Sequence, residues 1–231
     1  MSQADRLHLH DAPPLPSSLT EHAYRHLRQA IMTGRLEAGA ALRQEKLSQE
    51  LGISRLPLRE ALRQLDAEGL VVLRPRRGYI VALLDTKEIE ELFEIRAMME
   101  ARAGYLAAQQ RTDEDVVEVG RILSELEAVA ARSPLDISEF YRLNRLFHQR
   151  FFASSRRTHL CRLLSGVHDS LVPYIRMGGD IQSLEESQQD HSNLFAAFKS
   201  GDGDLVARLC REHCAASCRR LVKSSAPTPP A

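Results

Sequence analysis

No run in the 231 residues approaches the roughly 20 consecutive apolar positions that a membrane-spanning helix requires, and the N-terminus has no apolar signal-peptide core. Both absences point to a soluble, cytoplasmic protein with no membrane partner. Cys161, Cys210, Cys214 and Cys218 include no C-x-x-C pair, and a cytosolic chain keeps such thiols reduced. Three of them, at i, i+4 and i+8, line one side of a helix and are expected as small packing residues. There is no internal repeat and no H-E-x-x-H. Net charge is absent too, with 31 basic and 31 acidic side chains, which at first argues against nucleic acid. The distribution is less neutral: residues 1–84 hold 12 Lys and Arg against 9 Asp and Glu, and the remainder holds 19 against 22. The front is basic and the rear acidic.

Strand signal is scarce and confined to the first third. Residues 1–17, with Pro13, Pro14 and Pro16 and no periodicity, read as a disordered tail, as does "SSAPTPPA" over 224–231. Residues 18–83 predict a helix (Leu19 to Met32), a glycine-rich break ("TGRLEAGAAL") and a short helix ("RQEKLSQELG") stopped by Gly52. The tight turn "ISR", a helix over 56–68 ended by Gly69, and strand, basic loop and strand in "LVVL", "RPRRG" and "YIVALL" follow. This is the order of a winged helix-turn-helix. Residues 86–223 carry amphipathic segments over 86–110, 113–131, 136–153, 157–177, 182–200 and 203–222, with short breaks. They predict an all-α bundle of antiparallel neighbours. The expected fold class is mainly α.

The stretch "SRLPLREALRQLDAEGL" holds arginines at four-residue intervals, Arg55, Arg59 and Arg63. Ser54 is placed to cap this helix, and Pro57 falls in the first turn, where no intrahelical bond is lost. Leu58, Ala61, Leu62 and Leu65 face a core, and the arginines lie on another face. One reading is a solvated surface, with Arg59 paired to Glu60 or Asp66. The other is a recognition helix, whose arginines reach guanine O6 and N7 in the major groove. The turn, the preceding helix and the basic hairpin favour the second. In the hairpin, Arg74, Arg76 and Arg77 suit phosphates or the minor groove, and Gly78 suits close backbone approach.

The stretch "EKLSQELGISRLPLREALRQLDAEGLVVLRPRRGYIV" resembles the DNA-binding domain of GntR-family transcription regulators, through "LSQELGISR", "PLREAL", "L-x-x-EGL" and the Arg-Arg-Gly wing. The resemblance implies Arg55 and Arg59 as principal base readers, with Ser54 and the wing on the DNA backbone. Leu56 stands where many members carry a small polar residue or Met, which implies one contact fewer.

In the rear block, Asn144 and His148 are four residues apart and share a helical face. His191 is nine residues before Ser200, and His213 is ten after Gly203. If "SGDG" joins antiparallel helices, both lie about 14–15 Å from the turn. Three imidazoles and one amide oxygen would then converge inside the bundle. His159 and His168 fall outside this pattern and are assigned to the surface or to local packing. On the helix of 86–110, the apolar stripe of Ile89, Leu92, Phe93, Met99, Ala103 and Leu106 takes in Arg96. An inward guanidinium needs an anion, either Glu100 at i+4 or a bound carboxylate.

This spacing resembles the FCD effector domain that accompanies the FadR subfamily of GntR regulators. Its pattern is Asp-x-x-x-His, a later His before a short Gly-Asp turn, and a final His on the last helix. The resemblance implies Asn144, His148, His191 and His213 as a metal set, while Arg96 is the candidate effector contact by its inward place on the stripe. Asn144 replaces the carboxylate and removes one negative charge, and a histidine-dominated set suits zinc or nickel. The expected function is a ligand-responsive regulator, a repressor, that binds operator DNA as a homodimer and answers to a small organic acid. A metal-dependent enzyme on the helical bundle is the alternative: three histidines suit catalytic zinc. No positioned general base supports it, although Glu212 neighbours His213. A rear block that only dimerises is a third reading.

Overall fold

A computed structural model describes residues 18–178 and 181–225. The tail expected over 1–17 lies outside the described residues, as do 226–231 of the second tail. The N-terminal head opens with α1 (Leu19–Met32), where the Ser18 hydroxyl accepts from the Glu21 N–H at 3.1 Å. α2 (Gln44–Leu51) ends at Gly52, whose φ of 62° is the left-handed conformation that glycine adopts without penalty. α3 (Arg55–Ala67) buries Leu58, Ala61, Leu62 and Leu65 against Ala23, Leu27 and Ile31 of α1. β2 (Val71–Arg74) and β3 (Gly78–Val81) form the antiparallel hairpin.

Three details differ from the sequence reading. The glycine-rich break contains β1 (Ala41–Leu42), which pairs with β3 to give the sheet order β1-β3-β2. Two residues are too few to show an alternation. α3 starts and ends one residue before the expected bounds. Ser54 occupies the N-cap with extended backbone, but its side chain makes no capping bond. The reason is local: the third helical position is Pro57, which has no N–H for the hydroxyl to accept from.

The rear block is a bundle of α4 (Thr86–Gln110), α5 (Asp113–Ala130), α6 (Ile137–Ala153), α7 (Thr158–Gly178), α8 (Ile181–Ser200) and α9 (Gly203–Ser225). Reciprocal capping boxes, Asp85 with Glu88 and Thr112 with Asp115, fix where α4 and α5 begin. α9 runs into the segment expected as a tail. Phe140, Phe147 and Phe151 of α6 pack with Phe198 of α8 in the main core. α4 and α9 lie against each other along much of their length. They come close at Gly104, where an added Cβ would meet Val206 Cγ1 at 2.7 Å and Cys210 Sγ at 3.0 Å. The four cysteines are free, and burial pushes the Cys210 and Cys214 thiols well above their ordinary range. Cys210 and Cys214 pack as protonated thiols. No described helix is long and apolar enough to cross a membrane.

Head and bundle meet along one seam. The Tyr174 hydroxyl of α7 accepts from the Leu84 N–H at 3.0 Å, and Ser170 Oγ donates to the Glu68 carbonyl at 3.4 Å. Beside these, Arg28 of α1 reaches Asp169 of α7.

Candidate functional site

Arg55, Arg59 and Arg63 are exposed on α3, away from its buried leucines. Arg55 donates to Glu45 of α2 at 3.2 Å, and Arg63 lies 3.6 Å from Glu60. Arg59 has no ion pair among the described residues, so the surface pairing with Glu60 or Asp66 is not formed. Exposed pairs of this kind contribute about 0–1 kcal/mol, too little to withhold a guanidinium from a phosphate or a base edge. The wing projects Arg74, Arg76 and Arg77 into solvent. Arg76 has a φ of 64° and Gly78 a φ of 79°, both left-handed. A Cβ on Gly78 would meet nothing within 4 Å in the free chain, so the turn itself asks for glycine there.

Inside the bundle the histidines converge as the height argument requires. His148 of α6, His191 of α8 and His213 of α9 are buried, and one ring nitrogen from each lies within 4.8 Å of the others. His148 Nε2 and His191 Nε2 are 3.2 Å apart. Two nitrogens bonded to one ion at about 2.0–2.1 Å would have that separation at an N–metal–N angle of about 100°. Asn144 Oδ1, one turn before His148, is buried without a hydrogen-bond partner. An orphaned buried oxygen beside three convergent imidazoles fits a cation. His191 Nδ1 is 2.9 Å from Gln188 Oε1, and His213 Nδ1 is 3.0 Å from Asp190 Oδ2. An N–H donated from each Nδ1 to these oxygens leaves the Nε2 lone pairs free, the arrangement that metal-binding histidines use.

A second layer backs this cluster. Glu100, fully buried, takes Arg96 Nε and His168 Nε2 on Oε1, each at 2.6 Å, and Cys214 Sγ on Oε2 at 3.3 Å. Burial alone would raise the Glu100 pKa, but Arg96 and His168 outweigh it and hold the carboxyl well below its usual range. Burial, and then the neighbouring His191, pull His148 well below the ordinary histidine value; burial, and then His213, do the same to His191. Arg96 therefore has Glu100 as its structural anion, and its ring neighbour is Phe93, 5.4 Å away. His168 must be reassigned: its ring lies 5.5 Å from that of His148, and it belongs to the site. His159 stays local, 2.9 Å from Arg162.

A cavity of about 190 Å³ opens beside the cluster, lined by Asn144, His148, His168 and the arginines Arg96, Arg142 and Arg145. Among the described residues no acidic side chain lines it. Burial and the adjacent Arg28 pull Arg145 down to about 10, so it stays charged at neutral pH. The chamber suits a small anion.

Residues 19–81 match the gntR family of bacterial regulatory proteins, and residues 91–216 match the FCD domain. The chain belongs to the GntR family of transcription regulators, with an FCD effector domain. The transcriptional repressor GlaR of Escherichia coli is 31% identical over 82% of this chain and 90% of its own length. The gluconate operon repressor of Bacillus licheniformis is 29% identical over 79% and 76%. The solved structure of E. coli McbR/YncC aligns with a TM-score of 0.76 at 25% identity, covering 89% of this chain and 98% of that one. This GntR regulator is a DNA-binding protein, and neither its family nor these relatives support the metal-dependent enzyme.

Sequence reasoning gathered the three central histidines of the regulator and missed their supports. Gln188 is one turn before His191 on the same face, a spacing that could have flagged it. Asp190, beside His191 on α8, reaches across to His213 of α9, and His168 meets Glu100 from α7, at angles that no spacing along one helix reveals.

Proposed function

We propose that the regulator represses transcription in the cytoplasm, where the chromosome lies, by binding operator DNA as a homodimer, and that a small carboxylate metabolite modulates it. In this reading residues 18–83 form the reading head. Arg55 and Arg59 take base edges, Arg63 extends the row, and Ser54, Arg74, Arg76, Arg77 and Gly78 approach the DNA backbone. A dimer would set two recognition helices one helical turn apart on a pseudo-palindrome. Residues 86–223 serve effector binding and dimerisation. Asn144, His148, His191 and His213 would hold a divalent ion, zinc or nickel by their nitrogen-rich chemistry. When bound, the ion supplies positive charge that helps to fix a carboxylate. Arg96, held in place by Glu100, is the protein's own contact to that carboxylate. The repressor names of two relatives, one of them for a gluconate operon, support the class.

One observation carries this reading: a buried three-histidine cluster with an unsatisfied amide oxygen opens on an arginine-lined cavity. The test is elemental analysis of tag-free protein supplied with zinc or nickel, followed by a thermal-shift screen of organic acids. Metal at one ion per chain and stabilisation by an acid are expected. Metal-free protein with no acid response would leave the bundle as a dimerisation module.

A further inference from the structure

Arg145 faces two ways. It lines the cavity beside Asn144 and His148, and its Nη1 pairs with Asp169 Oδ1 of α7. The other Asp169 oxygen, Oδ2, pairs with Arg28 of α1, in the head. Arg145 Nη2 donates to Ser165 Oγ at 3.2 Å, which keeps the guanidinium against α7. Asp169 is buried, and two guanidiniums share its one negative charge. The head also reaches the cavity itself: Met32, one turn beyond Arg28 on the same face of α1, and the C-cap Thr33 form part of the cavity wall. The reading head thus supplies a wall of the chamber and shares a carboxylate with one of its cations.

We infer that Arg145 is the residue through which an anion in the cavity acts on the head, by competing for Arg145 and leaving Asp169 to Arg28. This rests on the carboxylate-effector reading above and adds its route. A carboxylate divided between two guanidiniums holds each less firmly than one alone, because each draws on the same charge. An anion placed against Arg145 supplies that cation with another partner. Asp169 then binds Arg28 with less competition, and α1 is held more firmly to α7. The ligand tightens one seam, and its effect on DNA is bounded by how much more strongly it binds that tightened arrangement.

The reporter is the Leu84 amide, which donates to Tyr174 across the same seam. Its hydrogen exchange is read by fragmentation mass spectrometry on the full-length protein. Asp169→Asn and Arg28→Gln should each speed exchange at Leu84 about tenfold, the scale of one charge-assisted contact. Arg145→Gln should slow it or leave it unchanged, because it removes the competitor. A panel of acetate, lactate, malonate and citrate should contain an acid that raises the melting temperature and slows Leu84 exchange in the wild type. That acid should leave Leu84 exchange unaltered in Asp169→Asn while still raising its melting temperature. Equal acceleration by Arg145→Gln and Asp169→Asn would overturn the inference, as would an acid that binds without altering Leu84 in the wild type. If no acid binds while the three variants behave as expected, the carboxylate reading of the cavity fails and the competition for Asp169 stands.

Discussion

His148 and His191, 43 residues apart in sequence, face each other Nε2 to Nε2 at 3.2 Å. Without an ion, one of the two must carry a proton to make that contact attractive. With one, both present lone pairs. His191→Ala should therefore abolish zinc or nickel binding and the organic-acid response together, and leave DNA binding by the metal-free protein intact. Asn144→Asp should tighten metal binding by restoring a negative donor. Isothermal titration of both variants decides the matter, and unchanged zinc affinity in His191→Ala would remove it from the ligand set.

Asp190 holds His213 from outside the cluster. Asp190→Ala should weaken zinc binding by about 10–100-fold, the usual cost of losing a partner that orients a ligand. Circular dichroism should stay at the wild-type value. An affinity within twofold of wild type would make the contact incidental.

The head separates two kinds of arginine. Arg59→Ala should cost about 1–3 kcal/mol on operator DNA and relax preference at one base pair per half-site. Arg76 is best replaced by Gly, because its φ of 64° strains other side chains. Arg76→Gly should weaken binding to all sequences and lower the salt slope by about 1. Equal losses on operator and random DNA for both variants would refute this division of roles.

Acid should destabilise the metal-free protein. Burial holds His148 and His191 well below 6.5, so below that value the unfolded chain takes up protons that the fold refuses. Stability is full above about 6.5 and falls as pH drops below it, by up to about 1.4 kcal/mol per pH unit for each group. Glu100, held well below 4.5, adds a loss in the same direction at lower pH. Thermal melts of protein stripped of metal, from about pH 7 down to about pH 5, should show a falling midpoint. A flat midpoint would mean that the rings accept protons in place.

The parts legible in the sequence were those with a local code. Gly52, the α3 leucines and the arginine wing each announce themselves within a few residues. So do the matched heights of His191 and His213 about one turn. What stayed hidden depends on rotation between helices. His168 sits one turn before Val172 on α7, yet only the packing of α4 beside it shows that it meets Glu100. Ser54 departs from its cap signal for a different reason: Pro57, at the third helical position, has no hydrogen to offer its hydroxyl.

Gly104 has a consequence for the site one turn away. It sits four residues after Glu100 on α4, facing Val206 and Cys210, and Cys214, which donates to Glu100, follows Cys210 by the same interval on α9. A missing methyl group thus acts as a spacer gauge. It sets how far apart two helical rods stand where one carries Arg96 and Glu100 and the other His213. A bulkier residue at 104 would wedge the rods apart and disturb the Arg96–Glu100 pair and the imidazole cluster together, without touching either.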